Sequence, residues 1–155
     1  MSRKVVAPPV SSAKPSWRML LDAGLPTLLA APVIYSLLLP LVLLDAWVLL
    51  YEAVCFPVYG IAKVPRARYF VFDRARLPYL NAIERLGCLY CSYANGLLGY
   101  AREVAARTEQ YFCPIGHQRA PDCAHARYRH FPVYGDAAAF RSELERLRAA
   151  LRPPL

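Results

Sequence analysis

The feature that most constrains this chain is an apolar stretch in its first half. From Gly24 to Leu44 the sequence runs for 21 residues without a charged side chain. Asp45 interrupts the stretch, and the apolar pattern then continues past Glu52. About 20 apolar residues suffice for a helix to cross a hydrocarbon core, and the region is too long for the apolar core of a cleaved signal peptide. The sequence therefore predicts a membrane-associated helical segment over residues 19–62.

The charges on both sides of this segment bear on its topology. Basic residues precede and follow it: Arg3, Lys4, Lys14 and Arg18 on one side, and Lys63, Arg66, Arg68, Arg74 and Arg76 on the other. Because cytoplasmic flanks carry the basic excess, this symmetry favours a hairpin or re-entrant segment that bends between Pro40 and Asp45. The alternative is a single span followed by an interfacial helix. In both topologies Asp45 is interpreted as a boundary residue and not as a proton relay.

The rest of the chain divides into a short arm and a small domain. Residues 1–18 mix proline, serine and basic residues without hydrophobic periodicity, which predicts a flexible basic arm. Residues 63–155 are predicted to form a small, mainly helical domain on the cytoplasmic side. A domain of about ninety residues has a thin core, and a bound metal ion is one way to stabilise it. The predicted fold class is mainly α.

Helical periodicity and capping signals predict the elements of this domain. In chain order they are a strand or extended segment over Tyr69–Phe72, a helix from Pro78 to Cys88, a helix from Ser92 to Phe112, and a final helix capped by Asp136. The third element should stop before Pro114, because the residue that precedes a proline avoids the α region. The final helix carries an apolar stripe of Phe140, Leu144, Leu147 and Leu151.

Four residues of this domain have the spacing of metal ligands: Cys88, Cys91, Cys113 and His117. They form a C-x2-C pair and a C-x3-H pair, and three thiolates with one imidazole would make a tetrahedral zinc site. Iron or an iron–sulfur cluster is the alternative occupant. The two pairs lie about 30 Å apart if one straight helix joins them. A single shared site therefore requires a break near Asn95–Gly96 or Gly99.

The same thiols are also compatible with roles that need no shared site. Each pair could recruit different ligands, the thiols could be buried without a metal, or Cys88 and Cys91 could form a catalytic dithiol, although the βαβ context of a thioredoxin-like motif is lacking. Further residues fit surface or packing roles better than ligation: Glu109, Cys123, His125 and His130. Of these, Cys123 could replace His117 as the fourth ligand. Cys55, within VCFPVYG, is interpreted as an apolar packing residue on the membrane side.

A resemblance to a known family rests on four stretches: CFPVYGI (55–61), YLNAIERLGCLYCSYANGLLGY (79–100), AARTEQYFCPIGH (105–117) and YGDAAAF (134–140). They resemble a family of small, uncharacterised bacterial membrane-associated proteins. The resemblance implies an inner-membrane location. It marks Cys88, Cys91, Glu109, Cys113 and His117 as motif positions without implying an activity for them.

The net charge of +8 does not by itself indicate a nucleic-acid partner. The basic residues are scattered, and most of the excess is accounted for if the flanks of the membrane segment face anionic lipid. Only HARYRHF, residues 125–131, interleaves basic and aromatic residues as single-strand binders do, and it is too short for a stacking platform. Membrane lipid is the expected partner, together with another membrane or peripheral protein.

Two functions fit these features. The first is a non-enzymatic, membrane-anchored zinc-type Cys/His protein that serves as an adaptor or accessory subunit. The second is an iron or iron–sulfur redox protein that passes electrons to a membrane partner. An enzyme is not indicated, because the chain has no recognisable Ser/His/Asp constellation, phosphate-binding glycine loop or pair of catalytic carboxylates. The expected location is the bacterial inner membrane, with the domain facing the cytoplasm, where thiols stay reduced.

Overall fold

The computed structural model describes residues 24–153, so the predicted arm over residues 1–18 and the first residues of the membrane segment lie outside the described residues. Within that range four α-helices follow one another: α1 Leu25–Ser36, α2 Leu38–Tyr59, α3 Ala82–Phe112 and α4 Ala137–Ala149. Three short 3-10 turns lie between them: Arg66–Arg68, Asp73–Arg76 and Tyr128–His130. No strand occurs between residues 24 and 153, and the mainly α fold class is confirmed.

α1 and α2 together form one apolar helix of 35 residues, Leu25–Tyr59, with an irregularity at Leu37. Leu37 keeps right-handed helical angles (φ −62°, ψ −18°), so the chain does not reverse direction there. Pro40 explains the irregularity, because its ring clashes with the carbonyl of Ser36 four residues earlier and it has no N–H to donate. By length and composition this helix is able to cross a membrane.

The predicted hairpin is not formed. α2 runs without interruption through Pro40 and Asp45, the two residues between which the bend is expected. Because α2 restarts after the irregularity at Leu37, Pro40 falls in its first turn, where a proline is tolerated. The chain turns only at Gly60, whose φ of 66° lies in the left-handed region that favours glycine. The structure thus has a single long apolar helix here, and the alternative, a single span followed by an interfacial helix, stays a prediction.

α3 is one helix of 31 residues where the sequence predicts two. It begins after Asn81 and not at Pro78, because the Asn81 side chain accepts from the Glu84 N–H and the Glu84 carboxylate accepts from the Asn81 N–H. This capping box provides hydrogen-bond acceptors for two backbone N–H groups that lack a partner within the first turn of the helix. The helix then continues through Gly87, so the predicted end at Cys88 is wrong.

The break predicted at Asn95–Gly96 or Gly99 is also not formed. Instead, the two glycines allow the residue Tyr69 to lie close to the backbone of α3. A Cβ at Gly96 would lie 2.7 Å from the carbonyl oxygen of Tyr69, and one at Gly99 would lie 3.2 Å from the Tyr69 ring. The segment Tyr69–Phe72 rests on α3 at this point, between two 3-10 turns, and is not the predicted strand. Small residues on α3 therefore admit a neighbouring segment and do not interrupt the helix.

The other helix boundaries are confirmed. α3 ends at Phe112, as the proline at position 114 predicts. Asp136 caps α4 by accepting a hydrogen bond of 2.8 Å from the Ala139 N–H. On the predicted apolar stripe, Leu147 and Leu151 are buried. α4 thus docks on the domain through the face that its periodicity indicates.

α3 packs along α1 and α2 in the same direction. The contacts advance together along both chains: Tyr90 meets Ile34, Tyr93 meets Asp45, Tyr100 meets Glu52, and Tyr111 meets Tyr59. The segment between Gly60 and Ala82 carries the chain back, as a parallel helix pair requires. α4 covers another side of α3, where the Gln110 side chain donates to the Leu147 carbonyl at 2.7 Å.

Candidate functional site

Asp45, the first acid of the apolar helix, is buried by the domain that follows it. Its surface is 8% exposed. Arg66 forms a two-point ion pair with the carboxylate, in which the bond to the second oxygen measures 2.8 Å. Tyr93 donates a further hydrogen bond of 2.9 Å to that oxygen. Asp45 therefore lies within α2 and is paired inside the protein, where sequence reasoning interpreted it as a boundary residue.

Glu52, the second acid of this helix, is also buried and is 6% exposed. It accepts hydrogen bonds from the backbone N–H of Val64 and from the hydroxyl of Tyr100, the latter at 2.6 Å. Burial of Tyr100, reinforced by the bond to Glu52, raises the pKa of the phenol above its ordinary value. The hydroxyl therefore remains protonated and able to donate throughout the physiological pH range.

These two contacts form a carboxylate–tyrosine ladder between parallel helices, consisting of Asp45, Glu52, Tyr93 and Tyr100. The acids are seven residues apart, and so are the tyrosines, so that each tyrosine lies 48 positions after its acid. Seven residues are about two helical turns, which keeps both members of each pair on one face. The ladder therefore specifies the register of α3 on α2.

Sequence reasoning missed this ladder. The signal that could have found it is the spacing of seven shared by the two acids and by two of the tyrosines in YCSYANGLLGY. A hydrogen bond to a charged group contributes about 1.5–3 kcal/mol, so a slip in register that breaks both contacts would be disfavoured. The acids of the apolar helix thus mark where the domain attaches to it.

α2 consequently has two unlike faces. The inner face meets α3 and comprises Leu41, Asp45, Val48, Glu52 and Phe56. The apolar face on the opposite side comprises Leu39, Leu43, Trp47, Leu50, Val54 and Val58, which are between 54% and 73% exposed. Because both acids lie on the inner face, the apolar face carries no charge. In the most apolar 18-residue window of the helix only 6% of residues are buried.

The structure does not bring the four predicted metal ligands together. Cys88 and Cys91 lie in the first third of α3, and Cys113 and His117 follow its end. Because α3 is unbroken, Cys91 and Cys113 are separated by about 33 Å at the α-helical rise per residue. Among residues 24–153 no three His, Cys, Asp or Glu side chains lie in a group that could hold a metal ion. A shared site would require a different arrangement of α3, so zinc and iron stay predictions.

Each predicted ligand has local surroundings of its own. Cys91 and Cys113 are exposed, Cys88 is half-buried, and none of the five cysteines is in a disulfide. The ring of His117 stacks on Tyr128, and its Nδ1 lies 3.0 Å from the Tyr128 hydroxyl. His117 is thus held by an aromatic contact within the loop that follows α3.

Two of the secondary candidates, Glu109 and His125, contact each other at the far end of α3, whereas Cys123 and His130 are exposed. His125 Nε2 lies 2.8 Å from a carboxylate oxygen of Glu109, and the His125 ring packs against Tyr128 and Phe131. The backbone carbonyl of Cys123 accepts from Arg102. The aromatic residues of HARYRHF therefore pack against histidines of the same region.

A polar network next to this cluster holds the loop against α3. Glu103 accepts from Arg107 at 2.9 Å, an i,i+4 pair on α3, and from Arg127 at 2.7 Å. Burial of Glu103 acts to raise its pKa, but the hydrogen bonds from Arg127 and Arg107 outweigh it and leave the pKa below its ordinary value. Glu103 therefore stays ionised, and the network serves a structural role.

Comparison with protein-family models, with curated proteins and with solved structures finds no match for this chain. The resemblance to a family of small bacterial membrane-associated proteins stays a prediction, and function has to be argued from the ladder and the apolar face.

Proposed function

We propose that this chain is a membrane-anchored accessory or adaptor protein without catalytic activity of its own. The apolar helix Leu25–Tyr59 is its anchor, and residues 63–153 form a helical domain clamped to that anchor by the ladder. The observation that carries the proposal is the apolar face, because soluble proteins rarely expose a continuous apolar surface of this extent.

The length of the helix indicates that its two parts have different surroundings. Its 35 residues extend over about 52 Å, whereas the hydrocarbon core of a bilayer is about 30 Å thick. The charge-free part lies before Asp45 and contacts α3 at Ile34 and Tyr35, whereas the part after Asp45 is packed along α3. We therefore assign the first part to the bilayer and the second part to the junction with the domain.

The ladder supports an adaptor in particular. A flexible tether would leave the domain free to rotate, whereas two buried carboxylate contacts and Arg66 hold α3 in one orientation relative to the anchor. The domain would then present its outer surface to another membrane or peripheral protein at a defined angle. Basic residues from Lys63 onward and unpaired thiols favour the cytoplasmic side of the bacterial inner membrane.

Alkaline carbonate extraction of membranes tests the anchor. Wild-type protein should stay in the membrane pellet, and the double variant Val33→Lys/Leu37→Lys should be released, because both positions are exposed near the middle of the charge-free part and each lysine near the centre of a span costs about 2.5–3.5 kcal/mol. The matched control is Val133→Lys, which changes an equally exposed apolar residue, at 74%, in the domain and should stay in the pellet. Wild-type protein that purifies in solution without detergent would refute the proposal.

A further inference from the structure

The arginines of this domain differ in whether they pair with an acid, and three of those without a carboxylate partner within residues 24–153 lie close together in one segment. Five pair with acidic side chains: Arg66, Arg107, Arg127, Arg146 and Arg148. Arg68, Arg74 and Arg76 are exposed, and in the described part of the chain none of their guanidinium groups forms an ion pair with a carboxylate. The one acid among them, Asp73, accepts from the backbone N–H of Arg74. The segment therefore presents a net positive charge to its surroundings.

The same segment exposes apolar and aromatic side chains between its arginines. Val71 is 54% exposed, Phe72 is 39% exposed and Tyr79 is 41% exposed. We call these three residues with Arg68, Arg74 and Arg76 the basic strip. Val71 and Phe72 are neighbours between Arg68 and Arg74, so apolar and basic side chains share one exposed stretch. Interleaved apolar and basic residues suit the membrane interface, where apolar groups enter the acyl boundary and bases stay among the headgroups.

The strip is held next to the anchor. Arg66, two positions before Arg68, is bound to Asp45 of α2, and Phe70 packs on Tyr93 and Tyr100 with ring centroids 5.9 and 6.3 Å apart. From there the chain leads to the beginning of α3, whose Tyr90 reaches Ile34 of α1. The strip therefore lies at the end of the domain from which the charge-free part of the anchor projects.

We infer that the basic strip is a docking surface for the headgroups of anionic phospholipids in the leaflet that the anchor enters. This inference rests on the proposed anchor and adds a lipid selectivity to it. Arg68, Arg74 and Arg76 supply the charge that a phosphodiester attracts, and Val71 and Phe72 enter the boundary between headgroups and acyl chains. Arg66 takes no part, because Asp45 already neutralises it.

The test uses the full chain purified in a neutral detergent and titrated with short-chain phosphatidylglycerol or phosphatidylcholine, with binding followed by native mass spectrometry. Phosphatidylglycerol should bind more tightly than phosphatidylcholine. The triple variant Arg68→Gln/Arg74→Gln/Arg76→Gln should weaken phosphatidylglycerol binding by roughly 100-fold, since each base near an anionic surface contributes about a factor of five. Lysines at the same three positions should retain most of the binding.

The matched control removes three exposed arginines elsewhere in the domain, Arg119→Gln/Arg141→Gln/Arg152→Gln, and so causes the same change in net charge. It should bind phosphatidylglycerol like the wild type. Equal losses in the two triple variants would overturn the inference, because attraction would then depend on net charge alone. Inorganic phosphate or a single-stranded oligonucleotide that binds the strip as tightly as phosphatidylglycerol would overturn it as well.

Carbonate extraction separates this inference from the proposed function. All three proteins should stay in the membrane pellet, because the apolar helix is unchanged in each. An extractable wild-type protein would refute the anchor itself. A wild-type protein that resists extraction but binds the two lipids equally would refute only the docking surface.

Discussion

Along α2, the face that meets α3 carries Asp45 and Glu52, whereas the opposite face carries Leu43, Trp47 and Val54. The two faces belong to the same helix and the same stretch of sequence, but different interactions stabilise them. The inner face requires particular partners at particular distances, because hydrogen bonds to carboxylates are directional. The apolar face requires only an environment without water, because the hydrophobic effect is non-directional.

This difference explains how acids can occur in the proposed membrane anchor. An ionised carboxylate is costly in lipid, yet both acids here are turned to the domain and bonded to Arg66, Tyr93 and Tyr100. The anchor can therefore bear charges that define its junction with the domain and still offer lipid a face without charge.

The largest expected effect is a difference in location between the two ends of the apolar helix, and measuring it tests the apolar face as a whole. Reporter fusions after Arg18 and after Lys63 should give opposite signals, because the helix Leu25–Tyr59 continues in one direction and does not return. Activity of a periplasmic and of a cytoplasmic reporter at each site measures this. Equal signals would restore the hairpin and would contradict the continuous helix.

The next effect is expected from breaking the inner face. Arg66→Met leaves Asp45 buried without its cation and should lower the free energy of unfolding by about 3 kcal/mol, the lower end of the range for buried pairs. The lower end applies because 34% of the Arg66 side chain is exposed. Urea unfolding in detergent micelles measures the loss. Arg68→Met, a control without an acidic partner, should unfold like the wild type, and Asp45→Leu combined with Arg66→Met should recover stability.

A smaller effect is expected from crowding the surface of α3 that holds Arg66 and its neighbours in place. Gly96→Ala puts a Cβ 2.7 Å from the carbonyl oxygen of Tyr69, and such overpacking costs about 1–3 kcal/mol. Gly87→Ala is the matched control, because nothing lies within 4 Å of its Cβ. Alanine is the better helix former, so the control should gain about 0.5–1 kcal/mol. Thermal unfolding with the same sign for both variants would argue against the close approach.

The smallest effect is expected away from both faces, at the cysteines. With α3 continuous, Cys88→Ala and Cys113→Ala should act independently, and the exposed Cys113 should change stability by no more than about 0.5 kcal/mol. Elemental analysis and thermal unfolding of each variant check this. A joint loss of metal and stability in both variants would instead demonstrate a shared site, because the binding energy of a structural ion is part of the folding energy. It would also require α3 to break near Gly96.

Much of the helical framework follows from the sequence because its signals are local. The charge-free run from Gly24 to Leu44 predicts the apolar helix, Pro114 predicts the end of α3, and Asp136 predicts the start of α4. Each depends on hydrophobic periodicity or on backbone restrictions within a few residues. These signals do not depend on which other part of the chain lies nearby.

The roles of glycines and charges are harder to predict, because these roles depend on residues that are distant in the sequence. Gly96 and Gly99 are compatible with a helix break, and only the approach of Tyr69 identifies them as contact positions. Asp45 is compatible with a membrane boundary, and only Arg66 and Tyr93, 21 and 48 positions later, identify it as part of a junction.

The sequence by itself determined that this protein has a long apolar helix followed by a small helical domain. The tertiary structure decided that the helix does not reverse, that α3 is unbroken and parallel to α2, and that the two cysteine pairs lie at opposite ends of α3. The physical reason is the distance along the chain over which each kind of interaction acts. Propensity and periodicity act over a few residues, whereas the register between two helices is decided by contacts such as Glu52 with Tyr100, which exist only once the helices have packed.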